Sequence, residues 1–369
     1  MKRRAAGIAV GLAILIAAYT GVRLPDRWAV TLQAVSIFDG IHRRFLVGTV
    51  LRPVTLVTGY RYWLFAVVSV AVLAAVLYVI WRAAVRSESW SRQLLVIAWL
   101  LLPAGGFLFN EVGWLEQVAY LLLALAIWLA HRGRLRTAAI VLALTPCVHE
   151  LAILTVVPLF VAVMVRTVPP RRVLAIVIPA LAVAALVLLA PHPTQATLER
   201  MQAAWDRDGF PYRADELQLF VRSQAESWEL YSFWAALRNV MPVTVVLVGA
   251  LALLWWDRPW QPGASAGQRQ LVLATALGAV VAPLLLIYGG WDVNRWQLFT
   301  ITNFFIVVWV SIDRELSPRA IAILVGVGLL LARRPLGFIE GKPRELDPRE
   351  VARFAGEVTS GALFEIPDR

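Results

Sequence analysis

Residues 63–81 read WLFAVVSVAVLAAVLYVIW, an apolar run without a single Asp, Glu, Lys or Arg. A helix needs about 20 such residues to cross a bilayer. Hydrophobic residues make up 60% of the 369-residue chain and charged residues only 16%, whereas a soluble domain carries about 25% charged residues. Further runs of this kind occupy 5–22, 94–109, 118–130, 173–190, 240–256, 271–289, 298–312 and 320–332. The pattern predicts an all-α polytopic membrane protein and excludes a soluble enzyme with a Rossmann or TIM core.

Arginine clusters predict how the chain crosses the membrane, because short cytoplasmic loops are enriched in Lys and Arg. If 137–165 is a hairpin of two short helices, 137–146 and 151–165, the clusters on both sides of it stay in the cytoplasm. The tip of the hairpin, 147–150, then lies sunken in the outer mouth of the bundle. We therefore expect about eleven transmembrane helices, some short or broken, with a cytoplasmic N-terminus and an extracytoplasmic C-terminus. The clusters comprise Arg82, Arg86 and Arg92, then Arg132, Arg134 and Arg136, then Arg166, Arg171 and Arg172.

The chain reads as one membrane domain, 1–332, followed by an extracytoplasmic tail, 333–369. Larger hydrophilic parts are expected outside the membrane at 23–62 and 192–239. In the tail, Asp347 followed by Pro348 is typical of a helix start. The apolar stripe that follows predicts a short interfacial helix, and 362–367 is expected to be extended.

Several function classes are disfavoured by composition. The net charge of +11 comes mainly from Arg at the ends of apolar runs, where it contacts anionic lipid, so we expect no nucleic acid partner. The single Cys147 excludes an intrachain disulfide. We find no Walker loop, no HExxH and no metal-ligand spacing, and so predict no metal site. Binding of a divalent cation together with a phosphate group is an alternative that stays open.

Polar clusters from separate segments are predicted to collect at the outer mouth of the bundle, and ionisable residues at the membrane edge are functional candidates. Arg matches phosphate oxygens well, and a carboxylate beside an anion site suits a general base. The candidate substrate-binding residues are His42, Arg43, Arg44, Glu111, His149, Glu150, Asp292 and Arg295, with Asp39 as the candidate catalytic residue.

Structural alternatives remain open for most of these residues. Asp39 could pair with Arg43 one helical turn later, and Arg43 with Arg44 could contact lipid headgroups. The His149–Glu150 pair could be an internal polar bridge between helices. Asp292 and Arg295 could form an i,i+3 pair at a helix start, and the acids at 111 and 116 could be ordinary loop residues.

With these features the chain resembles the GT-C class of integral-membrane glycosyltransferases. The likeness rests on the first outer loop with Asp39, on a bundle of about ten or more helices with polar residues at its outer face, and on the tail helix leading into ALFEIP at 362–367. The resemblance implies transfer of a sugar from a polyprenyl-phosphate-linked donor to a saccharide acceptor at the extracytoplasmic face. Asp39 would then be the base, and Arg43, Arg44 and Arg295 would stabilise the departing lipid phosphate.

Two other functions compete with this interpretation. A transporter or flippase for a lipid-linked or small polar substrate would suit the short hairpin, since transporters use broken helices. A non-catalytic subunit of an envelope assembly complex would tolerate replacement of Asp39 and His149. In each case we expect a bacterial cytoplasmic membrane protein with membrane lipid, and envelope-biosynthesis proteins, as partners.

Overall fold

A computed structural model describes residues 2–40, 43–221, 224–229, 232–257, 265–290, 292–312, 315–333, 336–337 and 342–366. Over these ranges the chain is helical, with no β-strand, as the sequence predicts. In chain order the α-helices are α1 (Lys2–Gly21), α2 (Arg27–Ala34), α3 (Leu46–Thr58), α4 (Tyr62–Arg86), α5 (Trp90–Leu101), α6 (Pro103–Asn110), α7 (Leu115–His131), α8 (Leu135–Val148), α9 (Ala152–Met164), α10 (Pro170–Leu189), α11 (Gln195–Arg207), α12 (Ala214–Val221), α13 (Gln224–Glu229), α14 (Phe233–Asp257), α15 (Ala266–Val281), α16 (Val293–Ser311), α17 (Pro318–Ala332) and α18 (Pro348–Ser360).

Five helical segments are long and apolar enough to cross a membrane: α1, α4, α10, α14, and α15 continued by the 3₁₀ segment Ala282–Tyr288. Helices α5 and α6 add a sixth if they form one bent span. The chain is therefore a multi-pass helical membrane protein by length and composition, but the prediction of eleven spans is wrong. Among the other apolar helices, α3, α7, α8, α9 and α17 have only 13 to 17 residues.

Proline accounts for the break between α5 and α6. Leu102 follows α5, Pro103 takes the first position of α6, and the two helices meet at an angle of 61°. A proline lacks the N–H group that would continue the helical hydrogen bonds, and it disfavours helical geometry in the preceding residue, Leu102. An apolar run that looks continuous in sequence, 94–109, is therefore divided in space.

The helix bundle has two distinguishable ends. At one end the first turns of α7 and α16 meet, where Glu116 lies 3.3 Å from Arg295. At the opposite end the Glu315 carboxylate accepts hydrogen bonds from the backbone N–H groups of Trp90 and Ser91 at the start of α5. We call these the network end and the far end.

Helices α8 and α9 are separate, as predicted, and 149–151 joins them. His149, which follows α8, contacts Glu116 at the network end. Arg166, which follows α9, donates a 3.0 Å hydrogen bond to Ser311, the last residue of α16, at the far end. Helix α8 therefore runs toward the network end and α9 runs away from it, so their junction forms the tip of a hairpin.

The tail is fixed to the network end of α1. Asp347 caps α18 by accepting a hydrogen bond from the backbone N–H of Arg349, and Phe354 packs edge-on against Tyr19 with 5.3 Å between ring centroids. The expected extended segment at 362–367 is not found, because Gly361 ends the helix at φ 83° and Ala362–Phe364 forms a 3₁₀ turn. Residues 367–369 lie outside the described part.

Candidate functional site

Arg295, in the first turn of α16, is the centre of a buried group of acids. Its guanidinium lies 3.0 Å from the carboxylate of Asp292, 3.3 Å from that of Glu116 and 3.6 Å from that of Glu111. Asp292 also caps α16 by accepting a hydrogen bond from the Arg295 backbone N–H. The guanidinium stacks over the ring of Trp114 at 3.6 Å, and the whole side chain is only 6% exposed. The i,i+3 alternative for Asp292 and Arg295 is thus observed, but as part of a larger cluster.

His149 joins this cluster to the hairpin tip. The ring is fully buried, with Nε2 3.4 Å from a Glu116 oxygen and Nδ1 3.2 Å from a Glu150 oxygen. A backbone N–H, that of Leu151, also points at Nδ1 from 3.2 Å. The side chain of His149 therefore bridges α7 to the tip between α8 and α9.

Arg44 extends the contacts to the outer segments. Its guanidinium lies 2.8 Å from Glu150 and 3.2 Å from Glu216 of α12. Arg44 has φ 66°, the one positive value for a non-glycine residue in the described part of the chain. Such left-handed backbone is costly for residues with a Cβ and persists where surrounding contacts hold it. Here two ion pairs hold it.

These contacts form one chain of alternating acids and bases that we call the charge network. It brings together six of the predicted binding residues, although they come from segments far apart in the sequence. Its members are Glu216, Arg44, Glu150, His149, Glu116, Arg295, Glu111 and Asp292.

The turn that carries Glu111 is held by its backbone. The carbonyl of Asn110 accepts a 2.8 Å hydrogen bond from Arg23, and that of Glu111 accepts one from the side chain of Gln117. Gln33 donates to the carbonyl of Gly113. Three side chains from different elements bind three backbone carbonyls of this turn. These hydrogen bonds hold the backbone in place and so fix the position of the Glu111 carboxyl.

Asp39 is not among the ion pairs of the charge network. Its carboxylate accepts hydrogen bonds from the backbone N–H and the hydroxyl of Ser36, and its side chain is partly exposed. No ion pair joins it to Arg43 within the described ranges, so the alternative pairing is not observed. Five residues separate Asp39 from Arg44, which places their Cα atoms within about 18 Å of each other. His42 lies outside the described residues.

A cavity of about 370 Å³ leads away from the charge network. Its polar end is formed by Glu111, Glu116 and Arg295, and its wall along α16 continues to Val310. Fifteen helical residues separate Arg295 from Val310, a length of about 22 Å. The remaining lining is almost entirely apolar and includes Val76, Ile80, Leu95, Val96, Leu123, Ile127, Phe305 and Ile306. The site thus combines a long apolar slot with a charged head region.

Burial changes the protonation of two network acids that lie outside the spanning helices. It raises the pKa of Glu111 well above its usual range, against the opposing effect of Arg295. It also raises the pKa of Glu216 to about 8, although Arg44 is close. Protonated carboxyls at these positions reduce the negative charge that the protein has to bury.

Two important residues were missed from the sequence. The sequence pattern leaves Glu116 among possible loop acids and does not single out Glu216. Glu216 lies on the buried face of α12, next to Leu217 and four residues before Phe220, both buried. An acid on the apolar face of an amphipathic helix is the signal that could have identified it.

No group of three or more His, Cys, Asp or Glu side chains in the described ranges is arranged to hold a metal ion. A divalent cation bound together with a phosphate stays a prediction.

The fold and site define a multi-pass helical protein with a buried charge network at one end. Comparisons with known protein families, with curated proteins and with solved structures match this chain to none of them.

Proposed function

We propose that this protein is a membrane glycosyltransferase that moves a sugar from a polyprenyl-phosphate-linked donor to a saccharide acceptor. One observation carries the proposal: a slot about 22 Å long and lined by apolar side chains ends at buried carboxyls and a guanidinium. An amphiphile with a long apolar tail and a polar head matches such a site, because its tail would contact the apolar lining and its head would contact the charged side chains.

The distribution of arginines supports the location of the reaction. Arg86 ends α4, Arg132 follows α7 and Arg166 follows α9, so these three clusters lie at the far end. The positive-inside tendency places the far end in the cytoplasm and the network end outside. We propose a cytoplasmic N-terminus, an extracytoplasmic tail and a site facing away from the cytoplasm of a bacterial inner membrane.

Asp39 is our proposed base. As the acceptor hydroxyl attacks the anomeric carbon, its proton passes to the Asp39 carboxylate. The bond between that carbon and the phosphate oxygen breaks, and the electron pair stays on the lipid phosphate. Arg44, which follows Asp39 by five residues, contacts Glu150 of the charge network.

Arg43 is our proposed cation for the departing phosphate. Arg44 and Arg295 each contact at least two carboxylates, whereas Arg43 forms no ion pair with another described residue. A cation without a carboxylate partner stabilises growing phosphate charge better than one already neutralised. His42 remains a predicted contact of the same loop.

The test compares lipid-linked saccharides from cells that carry the wild type, Asp39→Asn or Glu199→Gln, an exposed control with the same loss of charge. We expect Asp39→Asn to lower turnover by about 10²–10⁴-fold, the usual contribution of a general base. The control should behave as wild type. An unchanged saccharide profile with normal amounts of the Asp39→Asn protein would contradict the proposed glycosyltransferase activity.

A transporter or flippase is the second candidate. The hairpin of α8 and α9, whose polar tip meets the charge network, resembles the broken helices that bind substrate in transporters. Flux of a lipid-linked saccharide in proteoliposomes, without any chemical conversion, would favour it. A non-catalytic subunit of an envelope assembly complex would instead copurify with an enzyme and tolerate Asp39→Asn.

A further inference from the structure

The polar end of the cavity presents hydrogen-bond acceptors that have no donor. Within the described residues, Glu111 Oε1, Glu111 Oε2, Glu116 Oε2 and Gln117 Oε1 are buried and lack a hydrogen-bond partner. All three side chains line the cavity and are less than a tenth exposed. Buried acceptors of this kind are normally satisfied, so their number at one place indicates a bound group that donates.

Some of the donors around these oxygens are already engaged. Arg295 is shared among three carboxylates, and the amide N–H₂ of Gln117 donates to the carbonyls of Leu108 and Glu111. Tyr120, which also lines the cavity, donates its hydroxyl to Asn303. Within the described residues, Trp114 Nε1 also lacks a hydrogen-bond partner, as does Arg295 Nε apart from its ion pair with Asp292, so the four unpartnered acceptors outnumber the unpartnered donors of the lining.

The charge balance of the network points in the same direction. It contains five carboxyls, two guanidinium groups and one imidazole, and each guanidinium is shared by at least two carboxyls. With Glu111 and Glu216 protonated, three carboxylates still face only two guanidinium groups. The neighbouring pair of Arg23 and Asp26 is internally compensated at 2.9 Å and adds no net charge. Buried uncompensated carboxylates are costly, and a positively charged ligand would remove part of that cost.

We propose that the polar end of the cavity, at Glu111, Glu116 and Gln117, binds a protonated amine. If the proposed glycosyl transfer holds, the sugar on the lipid donor is an amino sugar with an unmodified amine. An ammonium group donates three hydrogen bonds and carries one positive charge, which matches both the acceptors and the charge balance. The phosphate of the donor then lies away from Glu111, toward the loop with Arg43.

The protonation of Glu111 gives this site a pH dependence. Burial raises the pKa of Glu111, so the empty site holds a proton there, and the charged groups facing it are Asp26, Arg23, Asp292 and Arg295. An arriving ammonium ionises Glu111 and releases that proton. Affinity should therefore rise with pH, by up to about tenfold per unit, until the pH passes the pKa of Glu111 or of the amine itself.

The experiment uses the full chain in nanodiscs and three probes with the same ten-carbon tail: decylamine, decyl phosphate and decyl glucoside. Calorimetry at pH 8 compares wild type, Glu111→Gln and the exposed control Glu199→Gln. We expect decylamine to bind wild type and the control at least about tenfold more tightly than either other probe, since one charge-assisted contact accounts for such a factor. Glu111→Gln, which keeps the shape of the side chain, should lose this preference. The positive net charge of the protein, +11, would by itself favour the phosphate probe.

Decyl phosphate binding as tightly as the amine would overturn the proposal, and so would an amine preference that survives Glu111→Gln. Equal binding of the glucoside would show that neutral hydroxyl donors suffice and would also overturn it. These outcomes are separate from transfer activity. Amine binding without any sugar transfer would contradict the proposed glycosyltransferase activity and would still support the proposed amine site.

Discussion

Glu216 shows how one buried side chain can link an outer helix to the charge network. It is fully buried on α12, and one oxygen accepts a hydrogen bond from Arg44 at 3.2 Å. The other oxygen, Oε2, has no hydrogen-bond partner among the described residues. Burial without full compensation raises its pKa to about 8, so at neutral pH the folded protein holds a proton there.

This protonation predicts a pH dependence of stability. In the unfolded chain a Glu loses its proton near pH 4.3, whereas folded Glu216 keeps it up to about pH 8. The unfolded state therefore binds fewer protons over this interval, and the free energy of unfolding falls as pH rises from about 4.3 to about 8. We expect Glu216→Gln, which stays neutral, to remove this part of the decline. Thermal unfolding in detergent from pH 5 to 9 measures it. Parallel curves for variant and wild type would contradict the assignment.

Residue types at the site were predictable from the sequence, but their partners were not. An ionisable side chain such as His149 or Arg295 beside apolar runs can be recognised without a structure, because such groups are rare in apolar surroundings. Which carboxylate each one meets depends on helix packing, as the contact between Glu150 and Arg44 shows. The role of Asp39 is still a prediction, and the hydrogen bonds described for its carboxylate come from Ser36.

At the scale of elements, the turn between α6 and α7 determines where Glu111 stands. Gly113 in this turn has φ 89°, and a Cβ placed on it would lie 2.8 Å from the hydroxyl oxygen of Ser69 and 3.0 Å from a carbon of Pro25. Gly133, between α7 and α8, has a similar φ of 75° but open space around it. The two glycines separate the effect of backbone strain from the effect of crowding.

We therefore predict different costs for the same substitution. Gly133→Ala should lower the free energy of unfolding by about 1–2 kcal/mol, the cost of a left-handed conformation for alanine. Gly113→Ala should cost clearly more, because the new methyl group also displaces Ser69 or Pro25. Thermal unfolding midpoints of the two variants provide the comparison. Equal losses would mean that the turn is not packed as described.

The lengths of the elements explain why the number of spans was overestimated. Each apolar run was expected to become one crossing, and the helical character of the runs is confirmed. Apolar composition, however, only indicates that a helix is removed from water. It does not distinguish a helix in contact with lipid from a short helix packed among other helices. Helices such as α8 and α9, with 14 and 13 residues, belong to the second kind by length. Their separation was predicted from the arginine clusters on both sides of 137–165.

At the scale of the whole molecule, the chain brings loops, short helices and long helices together at one end. Glu216 and Arg44 are 172 residues apart, and Glu116 and Arg295 are 179 apart. No local sequence pattern reveals such contacts. The predicted topology brings these segments to one end of the bundle, but it does not tell which residues contact each other there. The apolar cavity, which forms between helices α4, α5, α7 and α16, has no local signature either.

The most direct test of this convergence is a double-mutant cycle on Glu116 and Arg295. Unfolding free energies are measured for wild type, Glu116→Gln, Arg295→Gln and the double variant. Arg295→Gln should be strongly destabilising, by about 3–5 kcal/mol, because it leaves several buried carboxyls without a guanidinium. Glu116→Gln should cost less, because Arg295 keeps its contacts with Asp292 and Glu111. We predict that the double variant loses about 1–3 kcal/mol less than the two single losses added together, the coupling expected of side chains in contact. Additive losses, within about 0.5 kcal/mol, would contradict a charge network that joins α7 to α16.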